Sequence, residues 1–181
     1  RSIISENIEE NGKLPSYMLD GDYTTAYKSS AKNSSFRYVL SKPNGVRSVR
    51  IVSEGTPSQA EVYAKVYTKL NDGSFETEDI LLGKLNQTVT EFNIPEDVTI
   101  KEMKVIWEDT IPEILEIATS KNVEDTTEAR AALKALIDQS VDTSTWTDTS
   151  KKNYEDALSL ANEVYNNAYA SKVSIENATG Q

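Results

Sequence analysis

The sequence predicts a mainly β fold, an antiparallel β-sandwich followed by a C-terminal antiparallel segment of two to three helices. Three observations predict it. Up to about Ser120 apolar and polar residues alternate with period two. Short runs of this kind are separated by Gly, Pro, Asn and Asp turn signals. From about Glu124 the apolar period becomes 3.6. The division falls at residues 1–121 for the sandwich and 122–181 for the helical part.

Each strand has its own signal. Phe36–Ser41 alternates, Lys42–Gly45 reads as a turn, and Val46–Val52 follows. The clearest strand starts at Ala60. Ala60, Val62, Ala64 and Val66 share one face; Glu61, Tyr63, Lys65, Tyr67 and Lys69 share the other. Asp72-Gly73 suits a hairpin turn. Phe75–Leu85, Val89–Ile94, Thr99–Glu108 and Ile114–Thr119 complete about seven short strands. The segment Pro15–Asp20 reads as loop or a helical turn.

The helical part opens with Thr126 or Thr127 as N-cap. Ala129, Leu133, Leu136 and Ile137 form one apolar stripe; Tyr154, Ala157, Leu158, Ala161 and Val164 form the next. Trp146 lies between them, placed to staple the pair. Two helices bury little alone, so a third helix or docking on the sandwich is expected.

Composition excludes several chemistries. The 181 residues carry 29 acidic and 19 basic side chains, a formal charge of -10. A nucleic-acid or anionic-membrane partner would need clustered Lys and Arg. The sequence has no Cys and no His, which excludes disulfides, thiolate chemistry, a Ser-His-Asp triad and His-ligated zinc within the chain. No apolar run is long enough to span a membrane. The chain begins at Arg1 and reads as a piece of a longer protein. No carboxylate pair stands out as the acid and nucleophile of a glycosidase.

The stretch Leu19–Tyr27 concentrates acid in one turn: Asp20, Gly21, Asp22, then Thr25 and Tyr27. It reads either as a solvated Asp-Gly turn or as a site for a hard cation. Calcium takes about 6–8 oxygen ligands from carboxylates, hydroxyls and carbonyls.

This opening, the strand ending Val49-Arg50-Ile51 and the closing Leu115-Glu116-Ile117 together resemble the discoidin-like (F5/8 type C) sandwiches. Among these they are most similar to the family 32 carbohydrate-binding modules, over roughly residues 1–120. The resemblance implies a galactose-binding-like jelly roll. It also implies a structural calcium ion held by Asp20, Asp22, Thr25 and Glu116, and makes Tyr27 a packing residue. Modules of that family bind galactose-type or N-acetylhexosamine sugars in loops at one end of the sandwich, on an aromatic platform with Arg, Asn and His. This chain departs from that pattern: the loop Ser53–Gln59 offers Glu54, Ser58 and Gln59 instead. Gln59 is a candidate hydroxyl partner. Tyr63 and Tyr67 are either a stacking platform or cross-strand packing. Trp107 is either a binding-loop aromatic or core, since it falls in register with Met103 and Val105.

The helical part resembles FIVAR modules through Leu133, Leu136, Ile137, Trp146, Thr147, Ser150, Tyr154, Ala157, Leu158, Ala161 and Val164. The two resemblances together imply a secreted or cell-surface, non-catalytic part of a Gram-positive glycoside hydrolase of hexosaminidase or hyaluronidase type. The expected partners are host glycans with terminal galactose or N-acetylhexosamine and neighbouring modules of the same enzyme, with no nucleic acid and no membrane insertion. A monomer is expected, and so is the alternative of a structural spacer that has lost sugar binding.

Overall fold

A computed structural model describes residues 2–41 and 45–180. Eight strands run in antiparallel order among these residues: β1 Ser2–Ser5, β2 Ser34–Val39, β3 Ser48–Glu54, β4 Glu61–Lys69, β5 Phe75–Lys84, β6 Val89–Asn93, β7 Thr99–Trp107 and β8 Glu113–Ser120. They form a five-stranded sheet in the order β1-β2-β7-β4-β5 and a three-stranded sheet in the order β6-β3-β8. The strand β1 was not anticipated, and Pro15–Leu19 is a short 3₁₀ helix. The predicted turn at Lys42–Gly45 lies mostly outside the described residues, which omit 42–44.

Alternation positions the core. Val62, Ala64 and Val66 of β4 point inward beside Met103, Val105 and Trp107 of β7, opposite Val49 and Ile51 of β3 and Phe92 of β6. All of these are buried. The Asp72-Gly73 hairpin closes as expected: Leu70 N–H donates to Ser74 O at 2.7 Å, and Gly73 sits at φ 87°.

Three helices follow: α1 Thr127–Ile137, α2 Asp148–Asn166 and α3 Lys172–Thr179. They enclose a second core of Ala129, Leu133, Ala161, Val164, Ile175 and Ala178. The cap of α1 falls at Thr126, as expected, but is bonded differently. The Thr126 hydroxyl takes no helix backbone N–H; the preceding Asp125 carboxylate accepts from the Thr127 N–H at 3.0 Å and its hydroxyl at 2.8 Å. Thr147 caps α2 by accepting from Ser150 N–H at 3.1 Å. Trp146 packs edge-on against Tyr154 of α2 at 5.4 Å. Among the described residues no helix is long and apolar enough to cross a membrane.

The helices dock on the sandwich through the free edge of β6. The α2–α3 link adds a short antiparallel bridge, Ala170 opposite Phe92. Asn93 N–H donates to Tyr169 O at 2.7 Å and Ser171 N–H to Glu91 O at 3.0 Å. Where the backbone then turns into α3, a hydroxyl continues the ladder: Ser174 Oγ accepts from Glu91 N–H at 2.8 Å and donates to Glu91 O at 3.0 Å. Arg130 of α1 holds the same link, donating to Tyr165 O and Asn167 O, both at 2.7 Å. Gly83 of β5 is required by this docking, because a Cβ there would lie 2.5 Å from Asn167 Nδ2 and 2.7 Å from Phe92 Cε1.

Ser174→Ala leaves the Glu91 N–H buried without its partner, a loss of about 1–3 kcal/mol. A urea titration should show a lower midpoint; an unchanged midpoint would mean the hydroxyl bridge contributes nothing to docking.

Candidate functional site

The acidic turn meets the last strand. Tyr27 bridges Ile114 of β8, with Tyr27 N–H donating to Ile114 O at 2.8 Å and Ile114 N–H returning to Tyr27 O at 2.9 Å. Tyr27 is fully buried and packs edge-on against Phe36 at 5.4 Å. A register shift between β3 and β8 then matters. Ser53 pairs with Ile114 and Val52 with Glu116, so Leu115 is the extra residue of a bulge. Without it, Glu116 would follow Ile114 into the core. With it, Glu116 leaves the core face and is buried instead against the N-terminal loop. Its Oε2 accepts from Gly21 N–H at 3.0 Å. Gly21 lies at φ 71°, a conformation that glycine adopts without strain.

Three of the four predicted cation ligands converge on this turn. Asp20 Oδ1 accepts from Asp22 N–H at 2.9 Å, and Asp20 Oδ2 accepts from the Thr25 hydroxyl at 2.6 Å. Asp22 turns its carboxylate away, accepting from Thr24 N–H at 2.8 Å and the Thr24 hydroxyl at 2.6 Å. The Thr24 hydroxyl and amide hold the Asp22 carboxyl below the ordinary aspartate range. It is the carbonyl of Asp22 that faces Thr25 Oγ1, at 3.1 Å. Among the described residues no group of three or more carboxylates is arranged to hold a metal. The turn therefore offers two carboxylates, a hydroxyl and carbonyls. Every donor is a hard oxygen, and two carboxylates offset a divalent charge, so the set fits calcium and not a thiophilic metal.

A second feature lies at the end of the sandwich where the β3–β4 and β7–β8 loops meet. A cavity of about 440 Å³ is lined by Ser58, Gln59, Glu61, Lys84, Trp107, Glu108, Asp109 and Thr110, with Ile106 on its wall. Gln59 stands at φ 61°, unusual for a residue with a Cβ, and is exposed. Trp107 reaches this cavity but is only 2 % exposed. It packs against Phe36 at 6.2 Å and donates its indole N–H to Ala31 O at 2.9 Å. A sugar could not stack on a ring so covered. Sequence reading named Ser58, Gln59 and Trp107 with the stretch Glu108–Pro112 after it, but missed Glu61 and Lys84.

Tyr63 and Tyr67 share the outer face of the five-stranded sheet. Four residues along a strand separate them by roughly 13 Å, too far for one sugar ring to cover both. Tyr63 donates its hydroxyl to Glu61 Oε2 at 3.2 Å, and partial burial followed by the Glu61 charge pushes its phenol up. Lys65 between them pairs with Glu102 at 3.6 Å, and Glu102 also pairs with Arg37 at 3.2 Å.

These features define a two-sheet antiparallel sandwich with a loop-end cavity and an acidic turn tied to its last strand. Known structures of this class are similar to it. A family 32 carbohydrate-binding module of Clostridium perfringens NanJ, in complex with galactose, shares 18 % identity over 65 % of this chain and 91 % of that one, with a TM-score of 0.47. CpGH89CBM32-4 of Clostridium perfringens, in complex with GlcNAc-α-1,4-galactose, shares 20 % over 66 % and 90 %, with a TM-score of 0.44. An F5/8 type C domain of Bacteroides fragilis shares 14 % over 65 % and 89 %, with a TM-score of 0.45. No family model and no curated protein matches the sequence.

The burial of Trp107 has a spectroscopic consequence. In Trp146→Phe, the remaining emission should be blue-shifted and resist acrylamide quenching, and sugars should leave it unquenched. Ready quenching by acrylamide would show that Trp107 is open to ligand.

Proposed function

We propose that this chain is a non-catalytic carbohydrate-binding module that takes terminal galactose or N-acetylhexosamine sugars in the loop-end cavity. The observation that carries this reading is the cavity itself. It is concave and open, and Gln59, Glu61, Lys84, Asp109 and Thr110 give it both donors and acceptors. Adjacent sugar hydroxyls are donors and acceptors at fixed spacing. A carboxylate can accept from two of them, while the Lys84 ammonium and the Gln59 amide donate. The parent protein is read as a secreted glycoside hydrolase of a Gram-positive bacterium acting on host glycans, with the helical part a FIVAR-like spacer. One such site binds weakly, and linked modules raise the effect through effective concentration.

A specific observation favours a second reading, a spacer that no longer binds sugar. Trp107 is buried, and no Arg lines the cavity, so the stacking ring and forked donor that the resemblance implies are both missing here. A glycan array on the isolated chain separates the two. Binding to galactose or N-acetylhexosamine sugars is expected, weakened about tenfold or more in Gln59→Ala or Glu61→Ala, a loss of about 1.4 kcal/mol. Silence across the array would favour the spacer.

Calcium is proposed at the acidic turn, held by Asp20, Thr25 and Glu116 side chains and by Asp22 through its carbonyl. When bound it would supply a cross-link between segments 95 residues apart along the chain, as the Gly21–Glu116 hydrogen bond already does. Cross-links that close long loops stabilise most. EDTA should lower the melting temperature by a few degrees, consistent with about 2.7 kcal/mol of linkage at a hundredfold excess of ion over its Kd. Asp20→Ala should remove the EDTA sensitivity. A melting temperature indifferent to EDTA and to added calcium would end the metal assignment.

A further inference from the structure

We propose a second carbohydrate site, specific for acidic sugars, on the outer face of the five-stranded sheet at the end opposite the loop cavity. Its centre is the pair Tyr67 and Phe75, flanked by Lys69, Thr99 and Lys101 around an open groove of about 620 Å³, with Asp97 on the rim. The pairing of β4 with β5 places Lys69 directly opposite Phe75 and Tyr67 opposite Thr77. Tyr67 and Phe75 are therefore diagonal neighbours on one face, within aromatic reach. The tyrosine that shares a groove with Tyr67 is thus replaced by a phenylalanine from the next strand; Tyr63 is not part of it.

Phe75 is 63 % exposed, a large apolar ring in water at the foot of a hairpin. A single exposed ring needs no explanation. What distinguishes this one is its surroundings. A shift in the β4–β7 register, between Lys65–Glu102 and Val66–Ile100, leaves Lys101 as the extra residue of a bulge. The bulge carries its ammonium over the Tyr67 ring, 5.6 Å from the centroid. Two ammonium groups, Lys69 and Lys101, thus face one carboxylate, Asp97, in a chain of formal charge -10. An aromatic face beside concentrated cations complements a pyranose ring that bears an anion. The apolar C–H face lies on Phe75, the carboxylate or sulfate meets Lys69 and Lys101, and Thr99 takes a hydroxyl. A neutral sugar would bring Lys69 and Lys101 no second anion.

The site does not rest on the loop cavity, and the two separate by mutation. Affinity electrophoresis and calorimetry on the whole chain would use a galacturonate tetramer, a heparin-derived tetrasaccharide and a neutral galactose oligomer. With the loop cavity impaired by Gln59→Ala, the acidic probes should bind at least tenfold more tightly than the neutral one, and more weakly as salt rises. Phe75→Ala and Lys101→Gln, both exposed and so neutral for folding, should each weaken acidic binding fivefold or more; Gln59→Ala should leave it unchanged. Preference between the galacturonate and heparin probes tells whether the anion is carboxylate or sulfate. Absence of binding to both, indifference to Phe75→Ala, or equal retention of polyglutamate, which has charge but no ring, would overturn the proposal.

Discussion

The three-stranded sheet β6-β3-β8 has two open edges, and the rest of the molecule is arranged around closing them. An uncovered edge presents unpaired N–H and C=O groups to any passing strand. Here one edge is met by the N-terminal loop, where Tyr27 exchanges two hydrogen bonds with Ile114. The other is met by the helix link, where Ala170 bridges Phe92. Each closure fixes something further. The first brings the acidic turn onto Glu116; the second seats the helices so that Gln87 Nε2 can donate to Ser174 O at 3.0 Å and Asn167 Nδ2 to Leu82 O at 2.8 Å. The helical part has its own apolar core but is attached to the sandwich by polar, directional contacts. That combination fixes orientation more than it adds buried area.

Much of the sandwich was legible because alternation is a strong signal where one face is buried and the other solvated. Val62, Ala64 and Val66 against Tyr63, Lys65 and Tyr67 is such a case. β1 was illegible because it is four residues long, neither of its isoleucines is fully buried, and it lies on the edge of its sheet. The N-cap of α1 was legible at Thr126, but not that its hydroxyl makes no capping bond, because the Asp125 carboxylate just before it takes the Thr127 N–H. The approach of the acidic turn to Glu116 was legible only through the family resemblance, and the group that Glu116 meets is the Gly21 N–H. That Asp22 would spend its carboxylate on Thr24 could not be read from it, because Asp-x-Thr is a local turn whose preference overrides a distant partner.

The bulges explain why faces beyond the core resisted sequence reading. Pattern arguments assume that successive residues alternate, and one extra residue reverses every assignment after it. At Leu115 the reversal rescues a glutamate from burial in the core and presents it to the N-terminal turn. At Lys101 it lifts a lysine out of the ladder and over an aromatic ring. The third shift, between Val62 and Tyr63, sets Leu82 into the core beside Gly83, where Asn167 of the helix link approaches. Each of these irregular positions thus carries, or lies beside, a contact outside the core.

Charge distributes unevenly over the two ends. The loop cavity gathers Glu61, Glu108 and Asp109 around the single cation Lys84, whereas the groove at Tyr67 gathers Lys69 and Lys101 around Asp97. Over distances beyond a Debye length, about 8 Å in physiological salt, the overall negative charge is largely screened. Local sign then decides what each end tolerates. On the reading proposed above, the loop cavity would disfavour anionic sugars and the opposite groove would favour them. A glycan chain that alternates neutral and acidic residues would meet complementary surfaces at both ends of the same sandwich, and the strands between them fix their separation.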